Sequence, residues 1–194
     1  MTLAAPPRHA VTVRPVRPAD APLLQDFVRA LDPASRRLRF HGAINGCTPA
    51  LLRHLSEADG VRHVAFVALA GSPQSPAIAG EARYVVGAEG DAAEFAICVS
   101  DACRGRGVAD ELMRQLLNAA RAAGIGWLYG DVLADNLRMA GFMRKQGFAP
   151  TWPFDSCAGV ERWERVVRER LQARDRGVGR WLGTWLNRDM FAER

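Results

Sequence analysis

Lysine is almost absent from this chain, and the sequence motifs of several common functional classes are absent too. Lys145 is the only lysine among 26 basic residues, so the chain has no G-x-x-x-x-G-K-[ST] phosphate loop. The four cysteines show no C-x-x-C spacing, which argues against a metal site or a disulfide framework. Met1 to Ala10 lacks the apolar core of a signal peptide, and no apolar run reaches membrane-spanning length. We therefore expect a cytoplasmic protein with reduced cysteines, no metal and no transmembrane segment.

The composition is that of one globular domain with a modest basic excess. The 194 residues are 48% hydrophobic, which is enough for one sizeable core and short for two. The formal net charge is +5, and the arginines are dispersed, without the interleaving of basic and aromatic residues that suits nucleic acid. We expect no nucleic-acid partner, whereas a basic surface suits an anionic small molecule or an acidic protein.

Hydrophobic periodicity and turn residues predict a mixed sheet with helices on both faces. We expect a disordered leader over residues 1–10 and one domain over 11–170. Asp20 and Thr48-Pro49 mark two helix starts. The predicted strands are 11–16, 63–70, 77–86, 92–99 and 125–132. Two later helices are predicted, one that begins after Gly107 and one over 136–146.

A glycine-rich turn joins the strand that ends at Val99 to a strongly helical segment. Its sequence is Arg104-Gly105-Arg106-Gly107-Val108-Ala109. At a helix start several backbone N–H groups are free and the positive end of the helix dipole lies behind them, so the turn is suited to a pyrophosphate. Glycines allow the backbone to approach such a ligand closely. An ordinary strand-to-helix turn is the alternative.

Two segments resemble the acyl-CoA motifs of the GNAT acetyltransferases. Arg104, Gly107 and Ala109 match the family signature [QR]-x-x-G-x-[GA]. Gly130 to Met139, running on to Gly147-Phe148, looks like the second cofactor element, in which a strand is followed by an Asn that opens a helix. Segments such as 35–40 and 93–96 are also similar to the GNAT domain of bacterial Pat-type protein lysine acetyltransferases, which act on acyl-CoA synthetases. The resemblance covers roughly residues 11–170.

The resemblance implies an α/β GNAT fold with a mixed, mostly antiparallel sheet that splays apart where acetyl-CoA binds. A backbone N–H near Cys98 and Val99 would polarise the thioester carbonyl. The N–H groups from Arg104 to Ala109 would hold the pyrophosphate. The side chains of Arg104 and Arg106 would also contact phosphate oxygens. Asn136 would hold the pantetheine arm or cap the next helix. The expected cofactor-binding residues are therefore Cys98, Val99, Arg104, Gly105, Arg106, Gly107, Val108, Ala109 and Asn136.

The candidate general base is Glu94, which the resemblance to Pat-type enzymes indicates. An amine such as lysine, with a pKa of about 10.4, arrives protonated, and a carboxylate near it can take the proton. Glu81 and Asp131 are the reserve carboxylates, and His41 and His63 are expected to be structural. Met143 stands seven residues after Asn136, where many GNAT enzymes have a tyrosine that protonates the leaving thiolate.

The expected activity is transfer of an acetyl group from acetyl-CoA to a primary amine, most of all a protein lysine, with an acyl-CoA synthetase as a candidate acceptor. The alternatives are a polyamine-like small-molecule acceptor and a non-catalytic module that binds acyl-CoA.

The sequence leaves more than one structure open for the C-terminal part. Residues 160–171 fit a helix or, by analogy with the family, a final strand in their first half. An amphipathic helical extension over 171–194 would pack on the domain, form a homodimer contact or lie on a membrane.

Overall fold

The computed structural model of the chain describes residues 11–42, 44, 46–72, 74–151 and 159–168. The predicted leader and C-terminal extension lie outside these residues. The helices and strands within them are β1 (Thr12–Pro15), α1 (Ala21–Ala30), α2 (Pro33–Phe40), α3 (Pro49–Ser56), β2 (His63–Ser72), β3 (Ser75–Val86), β4 (Ala92–Val99), α4 (Val108–Ala122), β5 (Trp127–Leu133), α5 (Leu137–Lys145), β6 (Ala149–Pro150) and β7 (Val160–Val166), with 3₁₀ turns at Pro18–Asp20 and Asp101–Cys103.

The strands form one sheet in the order β1-β2-β3-β4-β5-β7-β6. Every neighbouring pair is antiparallel except β4 and β5, which run parallel. A parallel pair requires a crossover connection, and α4 supplies it. The predicted mixed, mostly antiparallel sheet is confirmed.

Helices cover both faces of the sheet, as predicted, and each face has its own core. On one face, Leu112 and Leu116 of α4 are fully buried against Ala82 and Phe95. On the other, Leu24 of α1 and Leu51 of α3 pack with Val67 of β2. Residues 67 and 68 alternate between the two cores because successive strand side chains point to opposite faces.

The pairing of β4 with β5 stops early. The two strands are in register only from Ala92 opposite Trp127 to Glu94 opposite Tyr129. Both strands continue, β4 to Val99 and β5 to Leu133. A Cβ at Gly130 would lie 2.9 Å from a ring carbon of Phe95, so the glycine makes room for this ring where the strands begin to separate. The gap beyond Glu94 is the predicted splay.

Two segments differ from the strongest sequence signals. Helix α2 was not predicted, since Pro33–Phe40 carries no regular apolar stripe; it begins with Pro33 at its first position, and the Asp32 carboxylate accepts a hydrogen bond from Ser35 N at 2.6 Å. Residues 160–166 form strand β7 rather than a helix. The strand alternative for the first half of 160–171 is thus the one observed.

Three charged side chains are buried together between α2 and β3. One oxygen of Glu81 accepts from Arg39 Nε at 3.0 Å and Nη2 at 2.6 Å, and the other accepts from Arg83 Nε at 3.0 Å. Arg83 also donates to the carbonyls of His54 and Leu55 at the end of α3. Burial alone would raise the pKa of Glu81, but the two guanidinium groups outweigh it and lower the pKa to about 2. The carboxylate therefore stays ionised in the folded protein.

No helix in the described ranges is long and apolar enough to cross a membrane. The same residues contain no group of three or more His, Cys, Asp or Glu side chains placed to hold a metal ion. Cys47, Cys98 and Cys103 are free thiols, and Cys157 lies outside the described residues.

We predict that Glu81→Gln destabilises the fold by about 3–5 kcal/mol, because it leaves two buried arginines without a counter-charge. Urea denaturation followed by circular dichroism measures the change. Asp26→Asn is the control, since its ion pair with Arg29 is exposed and is worth less than about 1 kcal/mol. Equal stability of the two variants would contradict a structural role for the buried carboxylate.

Candidate active site

A cavity occupies the gap between β4 and β5. Its walls come from the end of α2, the middle of β4, the middle of β5 and the start of α5. The lining residues are Leu38, Arg39, Phe40, His41, Glu94, Phe95, Ala96, Ile97, Gly130, Asp131, Val132, Asn136, Met139 and Met143. Because the two parallel strands separate early, the sheet contains a slot that an extended ligand can enter.

Backbone N–H groups of β4 point into this slot. Ser100 N donates to Ala79 O, and Gly87 N to Ala92 O, each at 2.8 Å. With the antiparallel register, this alternation directs the N–H of Cys98 toward β3 and those of Ile97 and Val99 toward the gap. The residues whose N–H can polarise a carbonyl are thus the neighbours of Cys98. The sequence indicated Val99 but not Ile97, because the alternation depends on the partner strand.

The glycine turn forms an open cradle at the start of α4. Gly105 has φ 70° and Gly107, the residue that precedes the helix, has φ 80°. Such left-handed backbone favours glycine. A Cβ at either position would meet no atom within 4 Å, so the surface in front of the turn is free. The N–H groups of the first helical turn have no partner within the helix, and the helix dipole adds positive potential there.

Both acidic residues in the first turn of α4 are paired, which weakens their repulsion of a bound anion. The Asp110 carboxylate accepts hydrogen bonds from Lys145 Nζ and Gln146 Nε2, both at 2.7 Å. Glu111 is paired with Arg114. These partners hold and offset the two negative charges, so the positive end of the helix dominates near the glycines.

The Arg104 side chain is directed to α2 rather than into the open cradle. It pairs with Asp101 and donates to Ser35 Oγ at 2.5 Å. Asp101 in turn accepts from Ser35 Oγ at 3.0 Å and from Asp32 N at 3.2 Å. Arg104 therefore connects the glycine turn to α2. Its side chain is not directed at the predicted phosphate site, so the other groups of the turn remain to contact a phosphate there. Arg106 is half-buried in that turn.

Asn136 lies at the cavity and caps α5. Its Oδ1 accepts a hydrogen bond from Met139 N at 3.1 Å, and no described residue accepts from its NH₂ group. The predicted capping role is present, and the amide donors remain for a ligand. Met143 is fully buried in the cavity wall, so the position at which the family resemblance implies a tyrosine holds a thioether.

Glu94 is the carboxylate at this site whose environment suits proton transfer. Burial raises its pKa, the negative charge of Asp131 raises it further, and Arg162 and Arg39 oppose both, with a resulting pKa of about 7. No described residue donates a hydrogen bond to it. Glu94 is therefore partly deprotonated at neutral pH and can accept a proton.

The two reserve carboxylates are already engaged. Glu81 is held between Arg39 and Arg83 as described. Asp131 accepts hydrogen bonds from Arg162 Nε at 2.8 Å and Nη2 at 3.0 Å, while the Arg162 guanidinium also lies 4.5 Å from the centre of the Tyr129 ring. Of the three carboxylates that the sequence indicated, Glu94 alone lacks a cationic partner.

The two histidines expected to be structural lie in different surroundings. His63 stacks on His54 with 4.7 Å between ring centres, and its Nε2 is 3.1 Å from Arg83 Nη1; both rings lie outside the cavity. His41 lines the cavity together with Glu94 and Asp131. The sequence did not indicate that His41 lines the cavity, because it did not indicate α2, whose last residue precedes it.

Comparisons with known proteins agree with this geometry. The sequence profile of the Acetyltransferase (GNAT) family matches residues 32–148. Acetyltransferase PA5475 of Pseudomonas aeruginosa is 35% identical over 141 residues, 73% of this chain and 75% of that protein. Acetyltransferase Pat of Mycolicibacterium smegmatis is 32% identical over 136 residues, 70% of this chain and 40% of that longer protein.

Solved structures show the same architecture. The GNAT domain of S. lividans PAT superposes with a TM-score of 0.74 at 29% identity, over 80% of this chain and 90% of that one. The yncA protein of Salmonella typhimurium, solved with its cofactor acetyl-CoA, has a TM-score of 0.62 at 15% identity, over 84% and 98% of the two chains, which shows a shared fold. The strand gap, the glycine cradle and these matches together show that the chain belongs to the GNAT family of acetyltransferases, which use acetyl-CoA.

Proposed function

We propose that this acetyltransferase transfers the acetyl group to a primary amine, most of all a protein lysine, with Glu94 as the general base. The observation that carries the proposal is the position of Glu94. It lies where β4 and β5 separate, lines the cavity, and has a pKa of about 7 without a cationic partner. An ionisable group poised near neutral pH at the end of a slot for an acyl chain is suited to deprotonate an attacking amine.

The proposed reaction is direct transfer. The acceptor ammonium loses a proton to Glu94, because a lysine amine has an ordinary pKa of about 10.4 and is otherwise protonated. The neutral nitrogen attacks the thioester carbonyl carbon, the new C–N bond forms and the C–S bond breaks. The thiolate leaves, and the second proton that the nitrogen loses passes to it through water, since Met143 in the cavity wall has none to give.

The cradle and the slot divide the binding of acetyl-CoA between them. The N–H groups of Gly105 to Ala109 would hold the pyrophosphate at the start of α4. The N–H groups of Ile97 and Val99 would meet the thioester carbonyl and the pantetheine amides along β4. The amide NH₂ of Asn136 would hold the pantetheine arm from the opposite side.

A cationic acceptor suits the charges beside Glu94. Glu94 and Asp131 both line the cavity, and of the two cations that act on Glu94, Arg39 is paired with Glu81 and Arg162 with Asp131. The likeness to Acetyltransferase Pat supports a protein lysine, and a lysine of an acyl-CoA synthetase is the acceptor we favour. A cytoplasmic location and a homodimer remain part of this proposal.

A non-catalytic acyl-CoA-binding module is the second candidate, and Met143 favours it because no tyrosine is among the described residues that line the cavity. The two candidates differ in one measurement. The module would bind acetyl-CoA tightly and release no CoA when a lysine peptide or spermidine is added.

We predict that Gly107→Glu abolishes acetyl-CoA binding in isothermal titration calorimetry. The substitution adds a negative charge in front of the cradle and places a side chain on backbone at φ 80°. Gly141→Glu is the matched control, since Gly141 is exposed on α5 with free space around it, and it should bind like the unchanged protein. Equal binding by both variants would show that the cradle does not hold the pyrophosphate.

We predict that kcat at saturating amine rises about tenfold per pH unit up to pH 7 and then levels off, because the base works only when Glu94 is deprotonated. Glu94→Gln should remove this limb and lower kcat by about 10²- to 10⁴-fold. Asp131→Asn should move the limb to lower pH, since it removes the negative charge that raises the pKa of Glu94.

CoA release followed with a thiol reagent measures these profiles. Glu89→Gln is the control, because Glu89 is exposed in the β3–β4 turn. If Glu94→Gln kept both the limb and the rate, Glu94 would not be the base.

A further inference from the structure

His41 has a backbone conformation that its sequence neighbourhood does not require. It follows the last residue of α2 with φ 52° and ψ 26°, in the left-handed region. It is the one non-glycine residue with positive φ in the described part of the chain. Glycine adopts this conformation at a helix end without strain. Here the glycine comes one residue later, at position 42.

The anchoring of α2 does not explain the histidine. The helix is held at one end by the contacts of Asp32 and Ser35 with Asp101. Arg37 pairs with Asp135, and Arg39 pairs with Glu81. These contacts fix the helix on both sides of the strand gap without His41, so the residue type at position 41 is free to serve the cavity.

The ring of His41 lies at the proposed reaction centre. It lines the cavity with Glu94 and Asp131, and both the charge and the backbone of Asp131 act to raise the pKa of His41. Burial lowers the pKa of His41, as do the charges of Arg39 and Arg37, while Asp131 opposes them. A neutral imidazole has one N–H donor and one acceptor nitrogen. Whichever nitrogen carries the proton, the other is an acceptor within the cavity that the ring lines.

We propose that His41 is an acceptor-binding residue, whose free ring nitrogen accepts a hydrogen bond from the incoming amine and holds it beside Glu94. The inference rests on the proposed amine acetylation. It assigns the substrate side of the cavity to the end of α2. Local strain at an observed backbone outlier is typical of functional positions, and a histidine in place of the less strained glycine supplies the polar atom that this contact needs.

The test compares His41→Gly with His41→Ala. Both remove the ring, but only glycine suits the left-handed backbone. We expect both variants to lower kcat/KM for an Nα-acetyl-lysine amide probe by about 10- to 100-fold, the range for losing a hydrogen bond to a charged group. The acetyl-CoA Kd should stay unchanged in both. His41→Ala should melt at a lower temperature than His41→Gly, since only the former keeps the strain.

His54→Asn is the control, because His54 is also half-buried and lies outside the cavity; it should keep the unchanged kcat/KM. If His41→Gly were as active as the unchanged protein, His41 would only end the helix and the inference would fall. If the unchanged protein released no CoA with the lysine probe or with spermidine, the proposed function itself would fail, and the inference with it.

Discussion

The buried carboxylate of Glu81 is the contact on which the arrangement of the site depends. Helix α2 has few apolar residues to hold it, and its main link to the centre of the sheet is the pair of hydrogen bonds from Arg39 to Glu81. Through Arg83, the same carboxylate also connects β3 to the end of α3. A charge that is costly to bury thus joins α2, β3 and the end of α3. Because it holds α2 in place, it also sets the position of the cavity wall that α2 forms.

The same electrostatics reach the proposed base. Arg39 neutralises Glu81 directly and lowers the pKa of Glu94 from a distance, while burial and Asp131 raise it. Arg162 offsets Asp131 and so limits its effect on Glu94. The pKa of about 7 is therefore a balance among residues of α2, β5 and β7, and not a property of β4 alone.

Local signals in the sequence predicted much of the fold and part of the site. Alternating strands, the Thr48 cap and the glycines before α4 act over a few residues, and the structure places these elements close to their predicted bounds. Helix α2 was missed because a contact 42 residues away in sequence stabilises it. The direction of the backbone N–H groups of Ile97, Cys98 and Val99, and the engagement of Arg104 by α2, depend on strand pairing and long-range contacts that no local pattern contains.

The scarcity of lysine has a consequence for a protein proposed to modify lysine. Lys145 is the single lysine side chain, and its amine is paired with Asp110 at 2.7 Å. Such an enzyme offers its own chemistry almost no internal target, because arginine carries the remaining basic charge and its guanidinium stays protonated and non-nucleophilic. Self-acetylation of side-chain amines is confined to one position, so acetyl incorporation elsewhere in a reaction mixture reports on the acceptor.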